Sequence, residues 1–110
     1  MIERFTFNKR IIFKYGIEFL SMPSKIKKLV ELENAIVVLL DSSFGDRNIF
    51  CIDFSKQLKW QIPKPIEIHA ENFFTGIYLR EGGLFAYNVN GVEYYLEKET
   101  GQFLKWDLIK

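Results

Sequence analysis

Two segments of the chain are near-duplicates of one another, and each ends in a tryptophan. Residues 50–60 read FCIDFSKQLKW, and residues 94–106 read YYLEKETGQFLKW. In both segments an aromatic and apolar run leads through a polar turn into a second run, which is typical of a β-hairpin. A hairpin unit that recurs in one short chain predicts several sheets stacked side by side.

The two tryptophans lie in segments with the period of a strand. Residues 57–62 alternate between apolar and polar side chains, and residues 102–108 repeat that alternation. This pattern is typical of half-buried strands. Trp60 and Trp106 therefore match in phase, and we expect both to be buried wedges between sheets and not platforms for a ligand.

Turn residues bound the other predicted strands. Asn90-Gly91 is a strong signal for a short hairpin, so residues 84–89 turn back into residues 92–97. Gly82-Gly83 reads as a further hairpin turn. Residues 35–40 (AIVVLL) are apolar on both faces, which predicts a strand covered on both sides inside the stack. Further strands are predicted at residues 48–54 and, as two or three strands around turns at Asn8-Lys9 and Tyr15-Gly16, within the first 20 residues.

Two parts of the chain are less regular. Pro63 and Pro65 lack the amide donor that a central strand needs, so residues 63–72 are predicted to connect two units. The apolar residues within residues 24–33 fit the spacing of a helix and that of a strand almost equally well. We favour the strand, because every neighbouring segment is predicted to be one.

Length and composition predict one all-β domain over residues 1–110. Hydrophobic residues make up 48% of the chain and aromatic residues 16%, which favours a packed core of strands. Cys51 is the only cysteine, so an internal disulfide is excluded and a reducing compartment is the default. The N-terminus lacks the pattern of a signal peptide, and the apolar run at residues 35–40 is shorter than a membrane helix. We expect a soluble cytoplasmic protein without a membrane partner.

The repeated segments resemble the blade repeat of quinoprotein-type β-propellers, in which an aromatic strand, an acidic turn with Thr-Gly and a strand ending in Trp recur. Residues 93–106 carry all three features, whereas residues 49–60 lack the Thr-Gly. Such propellers close with 4 to 8 blades. Two blades cannot close a ring, so the resemblance implies antiparallel sheets stacked as an incomplete (half) β-propeller or a sandwich-like pair.

The chain's own N-terminal strands or a second copy must cover the blade faces, so a homodimer stays open. No quinone or other cofactor is implied, because the cofactor site of those enzymes needs a complete ring.

In size and architecture the chain is similar to half-propeller immunity proteins of bacterial contact-dependent inhibition systems. That similarity implies a protein that binds a cognate toxin domain, such as a nuclease, and occludes it. Aromatic side chains beside charges are typical of binding hot spots. The residues predicted to bind the partner are Glu81, Glu93, Tyr95, Glu97 and Glu99. A solvated acidic face with an ordinary tyrosine is the alternative for these residues. For the chain as a whole, the alternative is a self-associating, non-catalytic scaffold or protein-binding module.

No catalytic, metal or nucleotide motif is present in the sequence. The patterns CxxC, HExxH, GxGxxG and GxxxxGK[ST] are absent. Cys51 and His69, the only histidine, could form a small Cys–His enzyme site, but no third orienting group can be named. Residues 41–46 (DSSFGD) predict a turn and not a calcium loop. We therefore expect no enzyme, no metal and no cofactor.

A nucleic-acid partner is also not expected. The basic side chains of the first part of the chain are Lys9, Arg10, Lys14, Lys25, Lys27 and Lys28. They could contact phosphates, but the formal net charge of the whole chain is only +1, and no nucleic-acid-binding motif accompanies them.

Overall fold

The computed structural model describes residues 4–66 and 69–109, and within these ranges the chain forms eleven β-strands and one 3-10 turn, Ser42–Phe44. The strands are β1 (Phe5–Asn8), β2 (Ile11–Lys14), β3 (Ile17–Ser21), β4 (Ile26–Glu31), β5 (Ala35–Leu40), β6 (Ile49–Asp53), β7 (Leu58–Gln61), β8 (Phe74–Arg80), β9 (Gly83–Asn88), β10 (Val92–Leu96) and β11 (Phe103–Leu108). In the described part, no helix has the length and apolar character needed to span a membrane.

The strands form three antiparallel sheets, each built from strands that are consecutive in the chain. The N-terminal sheet contains β1 to β3, the middle sheet β4 to β7 and the C-terminal sheet β8 to β11. Strand β4 contacts both β1 and β8, so the first strands of the three sheets lie together. The predicted fold class, all-β with stacked antiparallel sheets, is confirmed. The N-terminal strands form a sheet of their own that covers one face of the middle sheet.

Strand β5 shows why the middle sheet lies inside the stack. Its six side chains are all buried, as the unbroken apolar run predicts. Ala35, Val37 and Leu39 belong to the core between the middle and C-terminal sheets. The alternate residues, Ile36, Val38 and Leu40, belong to the core between the middle and N-terminal sheets. Since successive side chains of a strand point to opposite faces, a strand that is apolar throughout fits only a layer with a core on each side.

Most of the remaining predictions for individual elements are confirmed. The ambiguous residues 24–33 contain the strand Ile26–Glu31 and no helix. The turn predicted at Gly82-Gly83 joins β8 to β9, although the turn itself is made by Glu81 and Gly82, which both have positive φ. The described residues of the proline-containing connection, 63–66 and 69–72, form no strand; the prediction for residues 67 and 68 lies outside the described residues.

The turn predicted at residues 41–46 is also present, as the 3-10 turn and its flanking residues. The carboxylate of Asp41 accepts hydrogen bonds from the hydroxyls of Ser24 and Ser43. These bonds stabilise the charged form and lower the pKa of Asp41. Asp41 thus fastens the segment before β4 to the turn after β5.

The two tryptophans do not occupy equivalent positions in their strands. The prediction that Trp106 matches Trp60 in phase and is buried between sheets is therefore wrong. Trp60 is 6% exposed and buried between the middle and C-terminal sheets, whereas Trp106 is 49% exposed. Trp60 lies opposite Cys51 in its hairpin. At the equivalent place in the second hairpin, Lys105 lies opposite Tyr95. The structural counterpart of Trp60 is therefore Lys105, and Trp106 points to the other face of its sheet.

The second repeat has two extra residues, and one of them causes this shift. The first turn closes with the N–H of Asp53 donating to the carbonyl of Gln57, and the second with the N–H of Glu97 donating to Gln102. The second turn is thus one residue longer. The other extra residue, Phe103, stands between Gln102 and the repeated Leu-Lys-Trp triplet. A shift of one residue moves every following side chain to the opposite face of a strand.

Candidate protein-binding face

The C-terminal sheet has one buried face and one face that points away from the middle sheet, which we name the outer face. Along β10, Val92, Tyr94 and Leu96 are buried in the core, while Glu93 and Tyr95 alternate with them and are half-buried. Strand β9 shows the same alternation. Within the described part of the chain, the side chains of the outer face belong to neither core.

Three stacked aromatic rings run across the outer face, one from each of three neighbouring strands. Tyr78 lies opposite Phe85, and Phe85 lies opposite Tyr95. The ring centroids of Tyr78 and Phe85 are 5.7 Å apart, and those of Phe85 and Tyr95 are 5.0 Å apart. The interplanar angles of 15° and 25° describe stacked rings. We name these three residues the aromatic ladder.

A glycine next to the ladder allows the rings to lie this close to the backbone. A Cβ atom at Gly83 would lie 2.9 Å from Cε1 of Tyr95 and 3.0 Å from Cε2 of Phe85. Real Cβ atoms do not approach ring carbons this closely, so any larger residue would displace a ring. Gly83 thus shapes the outer face as well as starting β9.

Charged side chains surround the ladder. The guanidinium carbon of Arg80 lies 4.1 Å from the ring centroid of Phe85, and Nη2 of Arg80 lies 3.3 Å from Oε1 of Glu93. On β11, Lys105 lies opposite Tyr95 and Asp107 lies opposite Glu93. Together with Glu81, these residues border a cavity of about 640 Å³. The outer face therefore offers aromatic surface and charges of both signs around one depression.

The structure brings together three of the five residues that the sequence predicts for the partner surface. Glu81, Glu93 and Tyr95 all line the cavity on the outer face. Glu97 and Glu99 lie instead in the turn between β10 and β11. The predicted shared strand face of Glu93, Tyr95 and Glu97 thus ends at Leu96, where β10 ends.

The carboxylates of the turn have structural contacts of their own. Oε2 of Glu97 accepts hydrogen bonds from the backbone N–H groups of Glu99, at 2.6 Å, and Thr100, at 3.0 Å. Oε2 of Glu99 lies 2.6 Å from Nζ of Lys59 on the middle sheet. This contact raises the pKa of Lys59. Both carboxylates therefore have roles within the fold, in contrast to Glu81 on the rim of the cavity.

The residues of this face that the prediction missed include Tyr78, Arg80, Phe85, Lys105 and Asp107. Their sequence signal is weak, because each is an ordinary aromatic or charged residue in a strand. The turn signal at Asn90-Gly91 does not supply the register of this face. A two-residue turn there pairs residue 89 with residue 92 and so places Phe85 opposite Leu96. The structure places Phe85 opposite Tyr95, because the loop between β9 and β10 has three residues, 89–91.

The residues considered for a small enzyme site have properties that do not fit a reactive pair. Cys51 is fully buried in the core, and burial raises the pKa of its thiol to about 12. A thiol with this pKa stays protonated at neutral pH, whereas nucleophilic attack requires the thiolate. His69 is an exposed residue of the irregular connection. Among residues 4–66 and 69–109, no group of three or more His, Cys, Asp or Glu side chains is placed to hold a metal ion.

We expect Cys51 in the folded protein to resist an aromatic disulfide reagent at pH 8 and to react fully in urea, because its thiol is buried and protonated. The release of the coloured thiolate measures the reaction. As a control, Ser55→Cys adds an exposed thiol in the next turn, and that variant should release one equivalent when folded and two in urea. Rapid labelling of the folded wild-type protein would contradict the buried placement of Cys51.

Comparison with known proteins supports the fold and assigns the family. No curated protein matches the chain in sequence. The crystal structure of the computationally designed Ika8 protein superimposes with a TM-score of 0.65 and 13% identity, over 96% of this chain and 36% of the Ika8 chain. That of the designed Ika4 protein gives a TM-score of 0.61 and 14% identity, over 96% of this chain and 71% of the Ika4 chain. The chain thus spans about a third of Ika8, and at these identities the likeness concerns the fold alone.

Residues 8–108 match the model of a domain of unknown function, DUF7957, and the chain therefore belongs to that family.

Proposed function

We propose that this protein is a non-catalytic binding domain of the immunity type, which occludes a cognate bacterial toxin domain with its outer face. The observation that carries the proposal is the aromatic ladder beside the cavity, with Arg80 packed on one ring and paired with Glu93. The identity of the partner as a toxin, such as a nuclease, rests on the similarity in size and half-propeller architecture described above.

The chemistry of the outer face supports a protein as the partner. Tyrosine and arginine are enriched among the residues that dominate binding energy in interfaces, and these residues cluster where water is excluded on binding. Tyr95 and Arg80 lie together at the cavity. The sheet beneath them is fixed by its core, so docking needs little ordering of the backbone.

The charges of the face favour a partner with a basic surface. Glu81, Glu93 and Asp107 outnumber Arg80 and Lys105 around the cavity. The Arg80–Glu93 pair is exposed on its arginine side, and exposed pairs of this kind contribute little to stability. Either partner of the pair can therefore exchange its contact for one across an interface. A toxin that binds phosphate groups with basic residues is complementary to this surface.

The proposal predicts that a toxin domain co-purifies with the protein from its native host. It also predicts that Tyr95→Ala weakens this complex about 30-fold, the equivalent of roughly 2 kcal/mol. The tag belongs at the N-terminus, because Ile109 lines the cavity. Glu81→Lys should weaken the complex further, since it places a positive charge on the rim of an acidic face. Titration calorimetry with the purified partner measures both effects.

Glu18→Lys is the matched control for Glu81→Lys, because Glu18 is an exposed glutamate on the N-terminal sheet at the opposite end of the stack. It should leave the affinity unchanged. Thermal unfolding of each variant separates a loss of binding from a loss of folding. If Tyr95→Ala and Glu18→Lys bind the partner equally well, the outer face is not the binding surface.

Self-association is the second candidate, and it concerns strand β11, whose Lys105 and Asp107 also border the cavity of the outer face. Strand β11 exposes apolar side chains along the edge of that sheet. Edges of this kind pair readily with another strand.

A further inference from the structure

We propose that β11 pairs with β11 of a second copy of this chain, in an antiparallel register centred on Trp106. Strand β11 is the last strand of the C-terminal sheet, and among the described residues no strand pairs with its other side. Leu104, Trp106 and Leu108 are exposed by 53%, 49% and 55%. An apolar edge strand of six residues is a template for a further strand.

The backbone of β11 presents its hydrogen-bonding groups in the phase that this pairing requires. The N–H of Ile109 donates to the carbonyl of Gly91, at 2.7 Å, on the side of β10. The N–H of Leu108 donates instead to Oδ1 of Asp107, at 2.9 Å. Because backbone groups alternate in direction along a strand, those of Trp106 and Leu108 point away from β10. Trp106 can therefore exchange both backbone hydrogen bonds with Trp106 of a second copy.

The sequence of β11 is complementary to itself when reversed. Residues 104–108 read LKWDL. An antiparallel pair centred on Trp106 places Lys105 opposite Asp107 of the second copy, and the two-fold axis repeats this contact. Leu104 is the extra residue at a bulge in β11, so the pairing of the two copies is regular over residues 105–107. Opposite charges that face each other across strands stabilise a sheet.

The charges also exclude the two neighbouring symmetric registers. A pair centred on Lys105 places two lysines directly opposite each other, and one centred on Asp107 places two aspartates opposite each other. Like charges in these positions are destabilising. Only the register centred on Trp106 satisfies the backbone phase and the charges together. The occupant that this edge fits is therefore a second copy of the chain, and the two C-terminal sheets become one sheet of eight strands.

The test is a charge exchange followed by sedimentation velocity over a range of protein concentrations. Lys105→Asp places aspartate opposite Asp107 of the second copy, and Asp107→Lys places lysine opposite Lys105. We expect each single variant to weaken dimerisation at least about tenfold. The double variant Lys105→Asp/Asp107→Lys restores opposite charges at both contacts and should dimerise like the wild type. Lys64→Asp, at an exposed residue outside the strands, is the control and should change nothing.

A carbodiimide cross-link between Lys105 and Asp107 provides the second measurement. Mixing copies labelled with ¹⁵N and ¹⁴N distinguishes a link between two chains from one within a chain, and the mixed-isotope peptide is expected. A wild-type protein that stays monomeric at every accessible concentration would overturn the proposal and leave the edge to a strand from another protein. A double variant that fails to recover dimerisation would also overturn it. Neither result bears on toxin binding, which Tyr95→Ala tests on the outer face.

Discussion

Gly101→Ala is expected to lower the free energy of unfolding by about 2–5 kcal/mol. Gly101 has a φ of +77°, where an alanine is strained by about 1 kcal/mol or more. A Cβ atom there would also lie 2.5 Å from Cε3 and 2.6 Å from Cδ2 of the Trp60 ring. Overpacking of this kind costs a further 1–3 kcal/mol or so. Urea denaturation followed by circular dichroism measures the loss.

The Trp60 ring has little freedom to move away from a new methyl group. Its Nε1–H donates a hydrogen bond of 2.7 Å to the carbonyl of Lys98, in the same turn as Gly101. The ring is also part of the core between the middle and C-terminal sheets. A shift of the ring would therefore break that bond, open the core or move the turn.

Gly82 provides a control that separates backbone strain from the ring contact. Its φ is +80°, close to that of Gly101, but no atom lies within 4 Å of a Cβ built there. Gly82→Ala should therefore cost only about 1 kcal/mol, from the backbone alone. If the two variants lose the same stability, then the contact between Gly101 and Trp60 does not carry the energy assigned to it.

The sequence predicts the strands of this fold well, because each strand depends on local patterns. The apolar run of β5 and the turn at Asn90-Gly91 contain enough information to place a buried strand and a hairpin. The phase of Trp106 could not be predicted in the same way. It depends on two extra residues, one in the turn and one at Phe103, and a repeat in sequence does not show where such residues are absorbed.

Only part of the candidate site could be predicted, because residues on different strands come together only when the register of the sheet is known. Tyr95 and Glu93 share a face because they are two residues apart on one strand, which alternation alone reveals. The contacts of Arg80 with Phe85 and Glu93 join three strands, and they depend on the register of two hairpins at once. Glu97 was placed on the same face by alternation, but β10 ends before it, and its carboxylate binds the backbone of the turn.

Asn48→Ala is expected to lower the free energy of unfolding by at least about 3 kcal/mol, because this buried side chain joins two sheets. Its Nδ2 donates to the carbonyls of Leu40, at 2.8 Å, and Phe74, at 2.9 Å. Its Oδ1 accepts from the N–H of Phe74 at 2.8 Å. Leu40 ends β5 in the middle sheet, and Phe74 begins β8 in the C-terminal sheet. Alanine leaves these buried groups without their partner, and each such group costs about 1–3 kcal/mol.

Gln61→Ala is the matched control for Asn48→Ala. The Gln61 amide also donates to a backbone carbonyl, that of Arg47, at 2.8 Å, but this bond is exposed. Water replaces the lost donor there, so the variant should cost no more than about 1 kcal/mol. Urea denaturation of both variants gives the comparison. If Asn48→Ala lies within about 1 kcal/mol of Gln61→Ala, the join between the sheets depends on the apolar core and not on the amide. A large difference shows that the Asn48 amide holds the middle and C-terminal sheets in their relative position. It thereby also fixes the position of the outer face.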